Sequence, residues 1–310
     1  MQIIDVTLRE SVYYESGMTY EDRLQYLRNL CKYVSNDFIQ YVEICFIDND
    51  VDADLNYDEK FIKDAYEICK GKYKLVAMLH PGKADWTGWS DDVIKMLDMA
   101  RIMIPLNKMA GAKEYIKYFH ERGVKVACNL LYAGSALVDE IISMEKEAVE
   151  MGADYFYCAD SSGSFTPEFT NELSGRLVKN KEELEVGLHL HNHMGMSLAN
   201  ALIAKSHGIE MADVSILGAG KGGGNMKMEE ALLMLYGKEK IDYPLMSGLY
   251  NMINEFCRMV SKDPAGDQKS FIDFLTGVFK LNLKDLANIE KYAGNDIEKY
   301  LQYIAERNKV

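Results

Sequence analysis

The sequence predicts an α/β fold, a TIM (β/α)8 barrel followed by a C-terminal helical appendage. Three observations lead there. Apolar strand-like runs alternate with helical patterns eight times in about the first 236 residues, the size of such a barrel. A doubly wound open sheet alternates in the same way but rarely uses eight regular units without long interruptions. Beyond about residue 240 only helical patterns remain, such as Leu245 to Val260 and Asp296 to Ala305. The expected division is a barrel over residues 1–238 and a helical region over 239–310.

The first strand is expected over Ile3 to Leu8, ending in Arg9-Glu10. Thr19 with Asp22 three residues on is close to a capping box and opens a helix whose buried stripe is Leu24, Leu27, Leu30, Cys31 and Val34. Tyr41 to Phe46 is a strand and Asp58 to Cys69 a helix. Lys74 to Leu79 is a strand closed by Pro81-Gly82, with Trp86 and Trp89 in the loop beyond. Asp91 to Leu97 reads as a short helix, Ala100 to Pro105 as a strand, and Ala110 to Glu121 as a helix stopped at Gly123. Lys125 to Tyr132 and Tyr155 to Ala159 are strands flanking a helix over Ala136 to Met151. Pro167 to Val178 is helical, Glu185 to His191 a strand, and Ser197 to Ser206 a helix stopped at Gly208. Val214 to Leu217 is the last expected strand and Met226 to Tyr236 the last barrel helix.

A hydrophobic fraction of 48% supplies a substantial core, and a net charge of -13 argues against nucleic acid or an anionic membrane as partner. The six cysteines are scattered without a C-x-x-C pair, and most lie in apolar runs. Together with an N-terminus that enters a strand without a basic leader, they point to a reducing, cytoplasmic setting. No apolar run approaches membrane-spanning length.

The chemistry gathers at Gly187-Leu188-His189-Leu190-His191-Asn192-His193. In an extended strand His189, His191 and His193 share one face, and imidazoles about 7 Å apart can converge on one cation. Barrel active sites lie at the C-terminal strand ends. The polar residues at those ends include Arg9 and Glu10, Glu43, His80, Asn129, Asp160 and Ser161, and the last strand runs into the loop Gly218 to Asn225. The first and seventh strands are separated only by the eighth, so Glu10 can meet His189 and His191 as a two-histidine, one-carboxylate site with open positions. Arg9 beside that carboxylate suits an anionic substrate or an oxyanion. Asp5 reads as a hydrogen-bonding residue, Glu43 as either a supporting group or an internal salt bridge, and Asn225 as the N-cap of the last barrel helix or a site residue.

Asp5-Val6-Thr7-Leu8-Arg9-Glu10, His189-Leu190-His191 and the Gly218 to Asn225 loop together resemble the pyruvate carboxyltransferase-like metallolyases, the barrel family of isopropylmalate and homocitrate synthases, hydroxymethylglutaryl-CoA lyase and 4-hydroxy-2-oxovalerate aldolase. The likeness runs collinearly over residues 3 to 236. Met78-Leu79-His80-Pro81-Gly82, Cys158-Ala159-Asp160-Ser161-Ser162-Gly163 and Leu198-Ala199-Asn200 are most similar to the aldolases, and Leu275-Thr276-Gly277-Val278-Phe279 is faintly similar to their C-terminal helical region. The resemblance implies that Glu10, His189, His191 and Asn225 hold a divalent cation, Mn²⁺ first, with Mg²⁺, Zn²⁺ and Co²⁺ as alternatives. It implies that Arg9 stabilises enolate charge on a 2-oxo acid such as pyruvate and that Ser161 contacts its carboxylate. Asn129, Glu43 and His80 complete the expected substrate-binding set.

Three departures qualify the pattern. Glu10 stands where the aldolases carry Asp, as in homocitrate synthases; Tyr13 stands where they carry a histidine base; and Leu275 aligns with their C-terminal tyrosine. The glycine loop also lacks the cysteine of the hydroxymethylglutaryl-CoA lyases. The expected activity is a metal-dependent aldolase-type carbon–carbon lyase whose base is Tyr13, His193, His80 or a metal-bound hydroxide. The rivals are a Claisen-type acyl-CoA/2-oxo acid synthase and a non-catalytic metal- or ligand-binding subunit. A homodimer, with a dehydrogenase as a further partner, is the expected assembly. Specificity is expected from Glu15-Ser16-Gly17-Met18 and from the Trp86 and Trp89 region.

Overall fold

The computed structural model describes residues 1–13, 17–47, 59–82, 89–180, 184–294 and 296–308. Eight parallel strands close into a barrel in sequence order: β1 (Gln2–Asp5), β2 (Tyr41–Ile47), β3 (Lys74–Leu79), β4 (Met99–Ile104), β5 (Lys125–Leu130), β6 (Tyr155–Asp160), β7 (Glu185–Leu190) and β8 (Met211–Val214). Closure is made by β1 on β8, with Ile3 opposite Ala212 and Asp5 opposite Val214.

The connecting helices, in chain order, are α1 (Thr7–Glu10), α2 (Tyr20–Tyr33), α3 (Glu59–Cys69), α4 (Asp91–Ile94), α5 (Lys113–His120), α6 (Val138–Glu150), α7 (Pro167–Leu177), α8 (Ser197–His207) and α9 (Met228–Leu235). Thr19 and Asp22 form the capping box expected for α2, and Gly208 ends α8 in the left-handed conformation. The expected helix over Asp91 to Leu97 is only the single turn α4.

Two expected strands are displaced. The first strand stops at Asp5, because the Asp5 carboxylate accepts from the Thr7 backbone N–H at 2.9 Å and from the Thr7 hydroxyl, turning the chain into α1. The last strand is Met211–Val214 rather than Val214 to Leu217. Its buried Asp213 reads as a loop residue in isolation, but Arg101 of β4 pairs with it inside the barrel.

Strand alternation decides what each strand contributes inside. The lower interior is filled by Ile4, Val6, Tyr41, Val76, Met99, Ala127, Tyr155, Tyr157 and Met211. Two residues further along β2, β4, β5, β7 and β8, the same inward phase brings Glu43, Arg101, Asn129, His189 and Asp213, all buried. The strands thus run from an apolar plug to a charged floor under the C-terminal mouth. Gly187 on β7 belongs to this packing, since a Cβ there would collide with the Tyr157 ring. That ring in turn lies 4.2 Å from the Arg101 guanidinium carbon.

Four helices follow: α10 (Tyr243–Met259), α11 (Ala265–Val278), α12 (Leu283–Ala293) and α13 (Ile297–Asn308). Their apolar faces, including Ile253, Phe256, Leu275, Leu301 and Ile304, join the outer core that separates strands from helices. Phe256 meets Tyr26 of α2 edge-on at 6.4 Å. Among the described residues no helix is long and apolar enough to cross a membrane.

α10 approaches α2 so closely that a Cβ at Gly248 would strike the Tyr33 carbonyl. Gly248→Val is therefore expected to lower unfolding free energy by about 1–3 kcal/mol in urea titrations, the usual effect of overpacking. An unchanged midpoint would contradict this docking.

Candidate active site

A cavity of about 400 Å³ opens at the C-terminal mouth, lined by polar groups from α1, β5, β7 and the turns that follow β6 and β7, and by an apolar wall of Phe46, Met78, Met103 and Leu131. It gathers Arg9, Glu10, Tyr13, Asn129, Ser161, His189, His191 and His193 from the candidates expected from sequence. Glu43, His80 and Asn225 do not line it.

Glu43 is completely buried below the cavity, accepting from Arg9 Nε at 2.6 Å and lying 3.4 Å from Arg101 Nη1. It is an internal ion-pair partner beneath the cavity lining. His80 Nδ1 donates to the Pro81 carbonyl at 3.2 Å, away from the cavity. Asn225 is not the N-cap of α9, a position taken by Lys227. It bridges to His191, and its amide donates to the Ala219 carbonyl at 2.7 Å. Asp5 faces outward and holds Thr7 and the Tyr26 hydroxyl. Glu15, Ser16 and Trp86, expected to govern specificity, lie outside the described residues, while Met18 is buried and Trp89 packs on the outer core.

Arg9 and Glu10 lie on α1 rather than on a strand end. Arg9 clasps the Glu10 carboxylate through Nη1 and Glu43 through Nε. The charge chain continues from Glu43 to Arg101, from Arg101 to Asp213 at 2.7 Å, and from Asp213 to His189 Nδ1 at 2.8 Å. Burial alone would raise the Asp213 carboxyl, but Arg101 and His189 hold it below its ordinary value. Burial likewise works against the Arg9 charge, yet Glu10 and Glu43 outweigh it and raise its pKa.

β7 ends at Leu190, so His191 and His193 lie past the strand. The rings nevertheless remain neighbours, with centroids 5.1 Å apart for His189 and His191 and 5.7 Å for His191 and His193. Burial, then the charges of His189 and Arg9, depress the His191 pKa to about 3, which keeps that imidazole neutral. His193 is held between glycines: a Cβ at Gly163 would lie 2.7 Å from its backbone N, and one at Gly223 2.6 Å from its Cα. Burial and the Glu10 charge raise the Tyr13 pKa above its ordinary value. Ser161 Oγ accepts from the Tyr132 backbone N–H at 3.0 Å, where Tyr132 adopts a left-handed φ of 54°.

The donor chemistry fits a divalent cation. Glu10 Oε2, His191 Nδ1 and Asn225 Oδ1 are buried without a hydrogen-bond partner, and His189 has its Nδ1 committed to Asp213. Glu10 and Asn225 approach each other across Gly220, where a Cβ would lie 3.0 Å from Glu10 Oε2 and 2.5 Å from Asn225 Nδ2. Among the described residues, no three His, Cys, Asp or Glu side chains are grouped so as to hold an ion by themselves. The fit therefore rests on the unpartnered donors, including the Asn225 amide oxygen.

Sequence reasoning passed over Arg101, Asp213, Lys221 and Tyr132. A lone arginine in the apolar run Met99-Ala100-Arg101-Ile102-Met103-Ile104 was the available signal for Arg101, because a buried guanidinium requires partners.

A closed parallel barrel with a histidine, carboxylate and arginine cluster at its C-terminal mouth defines the class: a TIM-barrel protein with its polar site at the strand ends. The HMGL-like family model matches residues 103–253. Over 318 residues it is 23% identical to the 4-hydroxy-2-oxovalerate aldolase of Geobacillus stearothermophilus, covering 99% of this chain and 91% of the relative. Homocitrate synthase AksA of Methanocaldococcus jannaschii is 28% identical over 149 residues, 48% of this chain and 36% of that protein. Among solved structures, the N-terminal domain of an aldolase candidate from Bacteroides vulgatus shares the fold with a TM-score of 0.70 at 22% identity, covering 93% of this chain and 99% of that one.

Two outcomes follow from these contacts. Asp213→Asn is expected to weaken Mn²⁺ binding about 10–100-fold by calorimetry, the usual effect of losing a partner that orients a ligand; unchanged affinity in a folded variant would contradict the orienting role. Glu229, buried and accepting from the Leu217 N–H at 3.0 Å, has its pKa raised by burial to about 7. The folded state thus holds this proton more tightly than the unfolded chain, and the resulting stability is lost as pH rises through 7. The melting temperature of Glu229→Gln should rise relative to wild type between pH 5 and pH 8; a constant difference would refute the burial effect.

Proposed function

We propose that this protein is a divalent-metal-dependent carbon–carbon lyase of the aldolase type, acting on a small 2-oxo acid through a pyruvate-like enolate. The observation that carries this reading is the set of unpartnered buried donors, Glu10 Oε2, His191 Nδ1 and Asn225 Oδ1, beside Arg9 at the cavity. The cavity volume suits a small substrate. Glu10, His189, His191 and Asn225 would hold the cation, which when bound supplies Lewis-acid polarisation of the substrate carbonyl.

The remaining work falls to the protein's own groups. Arg9 is positively charged at every physiological pH, and its Nη2 has no hydrogen-bond partner. It is available to donate to the oxygen on which enolate charge develops. Ser161 and Asn129 line the same cavity and would receive the substrate carboxylate. His193 would take the hydroxyl proton of a 4-hydroxy-2-oxo acid as the C3–C4 bond breaks, releasing an aldehyde and leaving the electron pair in the enolate. Proton return to C3 gives the 2-oxo acid. Tyr13, held protonated, serves as a hydrogen-bond donor at the rim.

A second reading, a Claisen-type synthase joining an acyl-CoA to a 2-oxo acid, is favoured by Glu10 and by the partial match to homocitrate synthase AksA. It predicts thiol release from acetyl-CoA in the presence of a 2-oxo acid.

The test is exchange of pyruvate methyl protons in D₂O, followed by NMR with Mn²⁺ and with chelator. Exchange should require the metal, fall at least 100-fold in His189→Ala and His193→Ala, and survive largely intact in Tyr13→Phe. No exchange by the Mn²⁺-loaded protein would overturn the enolate reading, and thiol release would then decide for the synthase.

A further inference from the structure

The arginines of the site have their charges matched. Arg9 is paired with Glu10 and Glu43, and Arg101 with Glu43 and Asp213. Lys221 differs. It lines the cavity, its side chain is exposed, and among the described residues it has no carboxylate partner. In a chain of net charge -13, an unmatched ammonium at a cavity wall is a local reversal of sign.

Its position is tightly determined. Lys221 is the only residue with a side chain in the run Gly220 to Gly224. Side chains at its neighbours would displace site residues: at Gly220 a Cβ would meet Asn225 and Glu10, and at Gly222 and Gly223 it would meet His193. The His191 ring hydrogen-bonds to the backbone of Lys221 itself. The loop thus presses its backbone against four site residues and directs a single cation to the cavity. The apolar wall of Phe46, Met78, Met103 and Leu131 offers no competing charge.

We propose that Lys221 recognises a second anionic group on the substrate, so that the carbonyl partner cleaved from or added to the 2-oxo acid bears a carboxylate or phosphate of its own. This rests on the 2-oxo acid reading of the same cavity and narrows its substrate class. A cavity of about 400 Å³ has room beyond a three-carbon acid for such a group.

Calorimetric binding of 2-oxoglutarate and 2-oxopentanoate in the presence of Mn²⁺ compares one five-carbon 2-oxo acid skeleton with and without a second carboxylate. Wild type should bind the dicarboxylate at least tenfold more tightly. Lys221→Gln should bring the ratio within twofold, and Lys221→Arg should preserve it. A ratio near one in wild type, or an unchanged ratio in Lys221→Gln, overturns the proposal. Turnover with succinic semialdehyde, glycolaldehyde phosphate and neutral butanal as acceptors tells carboxylate from phosphate; preference for butanal also overturns it. Pyruvate proton exchange by wild type is the separate control. Exchange with no charge preference removes the Lys221 proposal alone, whereas charge preference without exchange removes the enolate reading and leaves anion recognition standing.

Discussion

The site depends on a buried chain of alternating charges that crosses the barrel floor from Glu10 through Arg9, Glu43, Arg101 and Asp213 to His189. Its members come from α1, β2, β4, β8 and β7, so one network ties five elements together around the mouth. Buried ion pairs contribute little net stability, because desolvation offsets their attraction. Their consequence here is positional. Arg9 at one end and His189 at the other are each held by a carboxylate at hydrogen-bonding distance. Three carboxylates and two guanidiniums leave one formal negative charge when the imidazole is neutral, a balance that favours a cation among the donors above.

The barrel makes this network affordable. Inward alternation fills the lower interior with Tyr41, Val76, Met99, Tyr155 and Met211, which exclude water beneath the charged layer. Tyr157 covers Arg101 from the side, in space left by the missing side chain at Gly187. Above the floor, the glycine loop after β8 lets backbone approach Glu10, Asn225 and His193 more closely than any side chain would permit. Rigid packing below and close backbone contact above place the polar groups around one cavity.

Some of this was legible in the chain itself. Eight alternating units announced the barrel, and the spacing of His189, His191 and His193 announced a polar cluster at one strand end. Both are local patterns, and local patterns survive without knowledge of tertiary partners. Arg9 and Glu10 were found for the same reason, although the turn made by Asp5 and Thr7 moved them from strand to helix. Asp213 was missed because a carboxylate inside a four-residue strand weakens the strand pattern, and its partner Arg101 lies 112 residues away.

The sequence by itself determined the period of the elements, the identity of the candidate donors and the order in which strands reach the sheet. Tertiary structure decided which charged residues meet. It sent Glu43 beneath the cavity rather than into it, left His80 outside, and placed Lys221 on the cavity wall. The physical reason is barrel closure. Alternation along a strand says only that a residue faces inward, whereas the pairing of β1 with β8 fixes which inward residues share a level and which charges can neutralise one another.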